Sequence, residues 1–176
     1  RAAFLESESG EFDACWTYAT SSGQHYAYQT PADNSYSKSP LDVPSATFPE
    51  KASEFEAQTA IGGGPVLINK GKIVDTWKEE LFEVGGVEPA SSQPRTAVGV
   101  TSDKKMIMFV CEGRNMTEGV KGMTTAEVAE ILKDLGCVEA INLDGGGSTC
   151  MLVNGKETIK VSDGAQRAVA SAVYFK

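Results

Sequence analysis

Histidine is nearly absent from this sequence: His25 is the only one among 176 residues, and it lies in a polar stretch. A Ser-His-Asp triad is therefore not predicted. Lysine and arginine form no cluster, and 24 acidic against 16 basic residues give a formal net charge of −8 at pH 7. Because nucleic-acid-binding proteins present a basic face, we expect no nucleic acid partner. Any bound anion must be held locally, by a few arginines and backbone N–H groups.

Long apolar runs are also missing, and none approaches the roughly 18 residues that a membrane-spanning helix needs. We therefore expect no membrane span in this chain. The sequence begins at Arg1 with neither an initiator methionine nor a signal peptide, and its first residues already have the pattern of a strand. We predict one domain over residues 1–176 that lacks its N-terminal part.

Metal-ligand patterns are missing as well, because the four cysteines match no zinc spacing and no His/Asp/Glu ligand cluster is present. We predict no cofactor and no catalytic metal; a structural divalent cation stays open. Cys111 and Cys150 lie inside apolar runs, which favours buried free thiols over a disulfide, although an oxidising compartment would permit one.

The sequence does contain short apolar segments separated by turn residues. Residues 65–68 and 72–74 flank an Asn-Lys-Gly turn and predict a β-hairpin. Residues 96–101 and 106–111 are joined by a short polar turn, which predicts an antiparallel pair.

One helix is predicted over residues 124–136, since Thr124 and Glu127 can form a capping box and Gly136 supplies a stop. Further strands are predicted over residues 138–143, in a hairpin spanning 150–161, and over 169–175. No βαβ rhythm appears. The predicted class is α+β: a mixed, mostly antiparallel β-sheet with a few packed helices in a single domain.

The most informative motif is Asn-Leu-Asp-Gly-Gly-Gly-Ser-Thr over residues 142–149. A strand delivers Asp144 to its end, and the three glycines leave backbone N–H groups accessible to an anion. The alternative is a Gly-rich turn with a capping aspartate. The loop is neither a Walker A motif nor a dinucleotide fingerprint. Residues 62–65 form a second Gly-rich run, for which a purely structural turn stays open.

Charged residues at strand ends provide further candidates. Glu112 and Arg114 are two residues apart after an apolar strand, so both could face one cleft or pair with each other. Arg95 opens a strand and Arg167 precedes the last one; either could be a solvated flank. Arginine is also the side chain best suited to bidentate phosphate binding.

These pieces, in this order, resemble the phosphodiester glycosidase family. The resemblance covers about residues 62–176 and depends on the two Gly-rich runs, Arg-Thr-Ala-Val-Gly over 95–99, Glu-Gly-Arg over 112–114, the helix and Arg167. It implies hydrolysis of the bond between an anomeric carbon and a phosphodiester oxygen, on an N-acetylglucosamine-1-phosphodiester-like substrate. It makes Asp144 and Glu112 the candidate catalytic carboxylates.

The resemblance also assigns substrate and phosphate contacts. The implied contacts are Arg95, Arg114 and Arg167 as clamps, with Thr96, Asn142, Gly145, Gly146, Gly147, Ser148, Gly63 and Gly64 around the pocket. The chemistry is reasonable because a departing phosphate monoester, with a second pKa near 6, leaves readily once arginines neutralise it.

The partners expected from the resemblance are a sugar-phosphate or polysaccharide substrate and an upstream N-terminal segment of the same protein, since relatives carry a Phe-containing segment that this chain lacks. The expected location is extracytoplasmic: periplasmic, cell-surface or secreted. The alternative is a non-catalytic carbohydrate- or phosphosugar-binding module of the cell envelope. A metal-dependent phosphoesterase is disfavoured because no ligand cluster is present.

Overall fold

The computed structural model describes residues 1–39, 41–43, 45–48, 52–82 and 88–175. Two five-stranded sheets form most of it. The first sheet has the order β4-β3-β2-β1-β5. Its strands are β1 (Ala2–Glu6), β2 (Phe12–Ala19), β3 (His25–Tyr28), β4 (Ser53–Glu54) and β5 (Thr59–Gly63).

The second sheet has the order β7-β6-β10-β8-β9. Its strands are β6 (Val66–Asn69), β7 (Lys72–Ile73), β8 (Arg95–Thr101), β9 (Met106–Cys111) and β10 (Cys137–Asn142). A small hairpin of β11 (Leu152–Val153) and β12 (Lys156–Glu157) follows. Every ladder between the described strands is antiparallel, so the α+β class is confirmed with no parallel pair among them.

The helix α1 (Thr125–Asp134) forms where the sequence predicts it. Thr124 is its N-cap, and Thr124 and Glu127 make the reciprocal bonds of a capping box. Val128 and Leu132 are fully buried and pack with Leu67 on the outer face of the second sheet. One short 3-10 turn (Gly146–Ser148) accompanies this helix. In the part of the chain that the structure describes, no helix has the length and apolar character needed to cross a membrane.

The main core lies between the two sheets. Phe4 and Trp16 of the first sheet meet Val66, Val98 and Ile141 of the second. Each of these side chains is at most 4% exposed, because the two sheets turn apolar faces toward each other. The layers therefore run sheet, sheet, helix. The last residues of β5 and β10 and the first residues of β8 meet at one edge of this sandwich.

The strand predicted over residues 169–175 is not formed. These residues have no strand assignment, and Val169, Tyr174 and Phe175 are each at least half exposed. The segment 171–175 instead lies along a groove beside Phe4 and Ile61. Apolar alternation indicates that a segment can be a strand, but a strand also needs a partner ladder, and no described strand supplies one. All four cysteines are free thiols.

Candidate active site

A cleft of about 750 Å³ opens where the two sheets end, and it brings together distant parts of the sequence. Its floor comes from residues 62–65 and from 142–145, at the ends of β5 and β10. Its sides are formed by Phe82, Arg114 and Arg167, among others. This volume lies in the range typical of pockets for small molecules, and it would accommodate a sugar with a phosphate group.

The crossing of the two strand ends explains why β5 ends in glycine. The N–H of Gly64 donates to the backbone carbonyl of Asn142 at 2.7 Å, and the side-chain Nδ2 of Asn142 donates to the Gly64 carbonyl at 3.0 Å. A Cβ on Gly63 would lie only 2.6 Å from the Asn142 carbonyl oxygen. Asn142 is 6% exposed, and its Oδ1 accepts no hydrogen bond from the described residues. Asn142 thus ties the two strand ends together beneath the cleft.

Asp144 lies at the exposed start of the loop that follows β10. The loop is braced from behind: the Leu143 N–H donates to Thr96 at 2.8 Å, and the Gly146 N–H donates to Pro94 at 2.9 Å. The Thr96 hydroxyl donates to the Thr149 hydroxyl at 3.4 Å. Thr96 therefore supports the loop from behind and does not itself line the cleft.

The glycines of this loop leave room for neighbouring protein groups. A Cβ on Gly145 would lie 2.9 Å from the Pro94 carbonyl oxygen, and a Cβ on Gly147 would overlap the side chains of Arg167 and Asp163. The motif predicts that these glycines leave access for a ligand. The structure adds close packing of the loop against β8 and against an ion pair at the cleft rim.

Two of the three predicted arginine clamps lie at this rim, joined by an aspartate that sequence reasoning missed. Arg167 donates from Nε to Asp163 at 3.1 Å, pairs with it again through Nη2, and donates from Nη1 to Ser148 Oγ at 3.3 Å. Arg114 Nη1 lies 3.7 Å from the other Asp163 oxygen. Asp163 lies in a Ser-Asp-Gly run that is typical of a turn, so no local signal marks it.

The third predicted clamp, Arg95, is 2% exposed. Its Nε donates to the Met123 carbonyl at 2.8 Å, and its Nη2 donates to the carbonyls of Glu88 at 2.6 Å and Ser91 at 2.7 Å. Burial lowers the pKa of this guanidinium, yet arginine stays protonated in proteins. Contact between Arg95 and phosphate stays a prediction, while its hydrogen bonds give it a positioning role in the cleft wall.

Glu112, the second predicted carboxylate, is not among the residues that line the cleft. Its Oε1 accepts the Lys160 N–H at 2.7 Å, and this bond, with a second from Thr117, lowers the pKa of the Glu112 carboxyl. Its catalytic role stays a prediction. The structure places it as an anchor for the segment that leads to Asp163 and Arg167.

Glu80 is a buried carboxylate that no sequence motif marks. Its Oε1 accepts from Val66 N at 2.8 Å, Thr76 Oγ1 at 2.7 Å and Trp16 Nε1 at 3.1 Å. Burial raises the pKa of this carboxyl. Its Oε2 lies so close to Gly64 that a Cβ there would overlap it. Glu80 thus fixes the start of β6 behind the cleft. Its partners are up to 64 residues away, which no local pattern reveals.

The described residues contain no group of three or more His, Cys, Asp or Glu side chains arranged to hold a metal ion. The cleft offers a different set of groups: the exposed carboxylate of Asp144 and the guanidinium groups of Arg1, Arg114 and Arg167. That set suits an anionic ligand which also carries hydrogen-bond donors.

Comparison with known proteins adds a family match. The sequence profile of the phosphodiester glycosidase family matches residues 19–176. The N-acetylglucosamine-1-phosphodiester alpha-N-acetylglucosaminidase of Mus musculus is 34% identical over 108 residues, which cover 60% of this chain and 20% of that protein. The SPbeta prophage-derived uncharacterized protein YomE of Bacillus subtilis is 35% identical over 80 residues, covering 46% of this chain and 12% of that protein. The chain spans at most a fifth of the length of these curated relatives.

Two solved structures share the fold. The catalytic domain of zebrafish N-acetylglucosamine-1-phosphodiester alpha-N-acetylglucosaminidase, described as auto-inhibited by its pro-peptide, aligns with a TM-score of 0.56 and 22% identity. The alignment covers 92% of this chain and 45% of that one. A hypothetical protein from Synechocystis aligns with a TM-score of 0.53 and 17% identity, covering 93% of this chain and 40% of that one.

Proposed function

Since this chain belongs to the phosphodiester glycosidase family, we propose that it hydrolyses the bond between the anomeric carbon of a sugar and a phosphodiester oxygen. The proposed substrate class is an N-acetylglucosamine-1-phosphodiester. The observation that carries the proposal is the placement of Asp144 in one cleft with Arg114 and Arg167. A carboxylate at the anomeric centre and cations at the leaving phosphate are the two requirements of this reaction.

The proposed chemistry breaks the bond from C1 to the phosphate oxygen, and its electron pair leaves with the phosphate. The departing group becomes a phosphate monoester whose added charge faces the guanidinium groups of Arg114 and Arg167. Their attraction replaces most of the help that a general acid gives to an alkoxide leaving group. Water supplies a hydroxyl to C1, and Asp144 takes its proton or first stabilises the positive sugar carbon.

The side chain of Asn142 would support the cleft floor against which the sugar binds. Its Nδ2 donates to the carbonyls of Gly64 and Leu143, and its Oδ1 is buried. The phosphate would then extend from the cleft floor toward the arginines at the rim.

Release of free N-acetylglucosamine from UDP-N-acetylglucosamine, measured with the full-length protein and a chelator present, tests the proposal. Asp144→Asn should lower kcat by about a thousandfold or more while substrate still binds, because only the reacting carboxylate is changed. The matched control is Asp134→Asn, which removes the same charge at the far, exposed end of α1 and should keep full activity.

Two results would count against the proposal. Unchanged release by Asp144→Asn would remove the assigned carboxylate. Binding without release by the wild-type protein would favour the non-catalytic phosphosugar-binding module instead.

A further inference from the structure

We infer that Asp163 makes the arginine pair at the cleft rim select phosphodiesters over phosphomonoesters. The inference rests on the proposed function, and it assigns Asp163 as a specificity-determining residue. The observation behind it is that one aspartate joins both rim arginines: it is bonded to Arg167 through Nε and Nη2, and it lies 3.7 Å from Arg114 Nη1.

The three side chains form a fixed unit against the glycine loop. Arg167 Nη1 is held by Ser148 Oγ and Arg114 Nη1 by Ser162 Oγ, both at 3.3 Å. Gly147 has no room for a Cβ because Arg167 and Asp163 lie against it. The side chains nevertheless stay between 36% and 50% exposed, so a ligand in the cleft can reach the guanidinium groups.

The charges of this unit match one ligand class better than the other. Two guanidinium groups carry a charge of +2, and the Asp163 carboxylate reduces it to +1. A phosphodiester carries a single negative charge, whereas a terminal phosphate monoester carries about −1.5 to −2 at pH 7. The charge of the unit therefore neutralises the charge of a diester. A monoester keeps excess negative charge next to the Asp163 carboxylate.

The same balance acts on the reaction product. Hydrolysis turns the bound diester into a monoester, so repulsion from Asp163 increases once the bond has broken. The aspartate thus discourages monoester substrates and promotes release of the phosphate product. Arg1, Arg95 and Asp144 also line the cleft and also act more strongly on the monoester charge. Because they are the same in every protein compared, a change in the ratio caused by Asp163→Asn isolates the contribution of Asp163.

The test uses N-acetylglucosamine 1-phosphate and its methyl diester as a matched pair of probes. Dissociation constants are measured by calorimetry at pH 7.5 on full-length protein in which Asp144→Asn blocks turnover. Asp163→Asn should tighten binding of both probes, and of the monoester more. The ratio of monoester to diester dissociation constants should therefore fall by about tenfold, the effect of one moderately screened charge.

Two further variants separate charge from shape. Asp163→Glu keeps the charge and should keep the wild-type ratio even if its affinity changes. Asp134→Asn removes an equal charge far from the cleft and should leave the ratio unchanged. A ratio that stays within twofold of wild type in Asp163→Asn would overturn the inference, as would failure of the diester to bind.

Turnover of the methyl diester by protein with Asp144 intact distinguishes failure of the Asp163 inference from failure of the proposed function. Turnover together with an unchanged ratio would refute the role of Asp163 and leave the proposed function standing. Absence of turnover would instead refute the proposed function.

Discussion

At the scale of single residues, Arg95 is among the most deeply buried charged side chains that the structure describes. Its guanidinium bonds to the carbonyls of Glu88, Ser91 and Met123 join the loop ahead of β8 to the segment that caps α1. A buried cation of this kind is stable only while its hydrogen bonds are complete. The residue therefore maintains the cleft wall from within.

Arg95→Lys should destabilise the protein by about 2–4 kcal/mol, because an ammonium group cannot reproduce the fork of bonds to separate carbonyls. Urea unfolding checks this value. Arg114→Lys is the matched control, since the same change at the exposed rim should alter unfolding by at most about 0.5 kcal/mol. Unaltered stability of Arg95→Lys combined with a raised KM would support the phosphate-clamp prediction instead.

At the scale of elements, the crossing of β5 and β10 sets the shape of the cleft floor. Gly63 ends β5 directly against the Asn142 carbonyl, while neighbouring Gly62 has open space where its Cβ would be. A side chain is therefore excluded at Gly63, whereas the neighbouring Gly62 has room for one.

Gly63→Ala should cost about 1–3 kcal/mol of unfolding free energy, because backbone atoms must move apart to admit the methyl group. Gly62→Ala should stay within about 0.5 kcal/mol of wild type. Thermal unfolding of both variants provides the comparison. Equal effects would show that the backbone at this crossing yields without strain.

Elements defined by neighbouring residues were predictable from the sequence. The helix follows from Thr124 and Glu127 three residues apart, and the hairpin at β11 and β12 follows from Asn154-Gly155. The strand predicted over residues 169–175 was wrong because pairing depends on a distant ladder. The site shows the same division. Asp144 is a candidate because of its own motif and lines the cleft, whereas the position of Glu80 depends on Trp16 and that of Asp163 partly on Arg114, both far along the chain.

At the scale of the whole molecule, one polar cluster ties the two sheets together at the β6–β7 turn. Asn69 donates to the Ala14 carbonyl of the first sheet at 2.9 Å and to Glu139 Oε2 of β10 at 3.3 Å. Glu139 Oε1 accepts the Lys70 N–H at 2.8 Å. Burial raises the pKa of the Glu139 carboxyl to about 7, against the lowering effect of that hydrogen bond and with a further rise from Asp13.

Because the folded pKa of Glu139 is raised, the folded state binds its proton more tightly than the unfolded state does. Its stabilising contribution is complete below about pH 4.5 and is lost as the pH rises through 7. Glu139→Gln should remove about 2 kcal/mol of this pH dependence from the unfolding free energy. Urea unfolding between pH 4.5 and 8 tests it, with exposed Glu130→Gln as the control. An identical pH slope in Glu139→Gln would contradict the assignment.

The long-range pairing of strands has a consequence for folding kinetics. The β1 residue Ala3 pairs with Gly62, and the β6 residue Ile68 pairs with Ala140. Closing such large loops costs conformational entropy before the strand contacts can lower the free energy. We therefore expect folding to take milliseconds to seconds rather than microseconds. The cleft is built where these distant pairings end. Intermediates that have formed only the local hairpins and the helix would therefore lack the site.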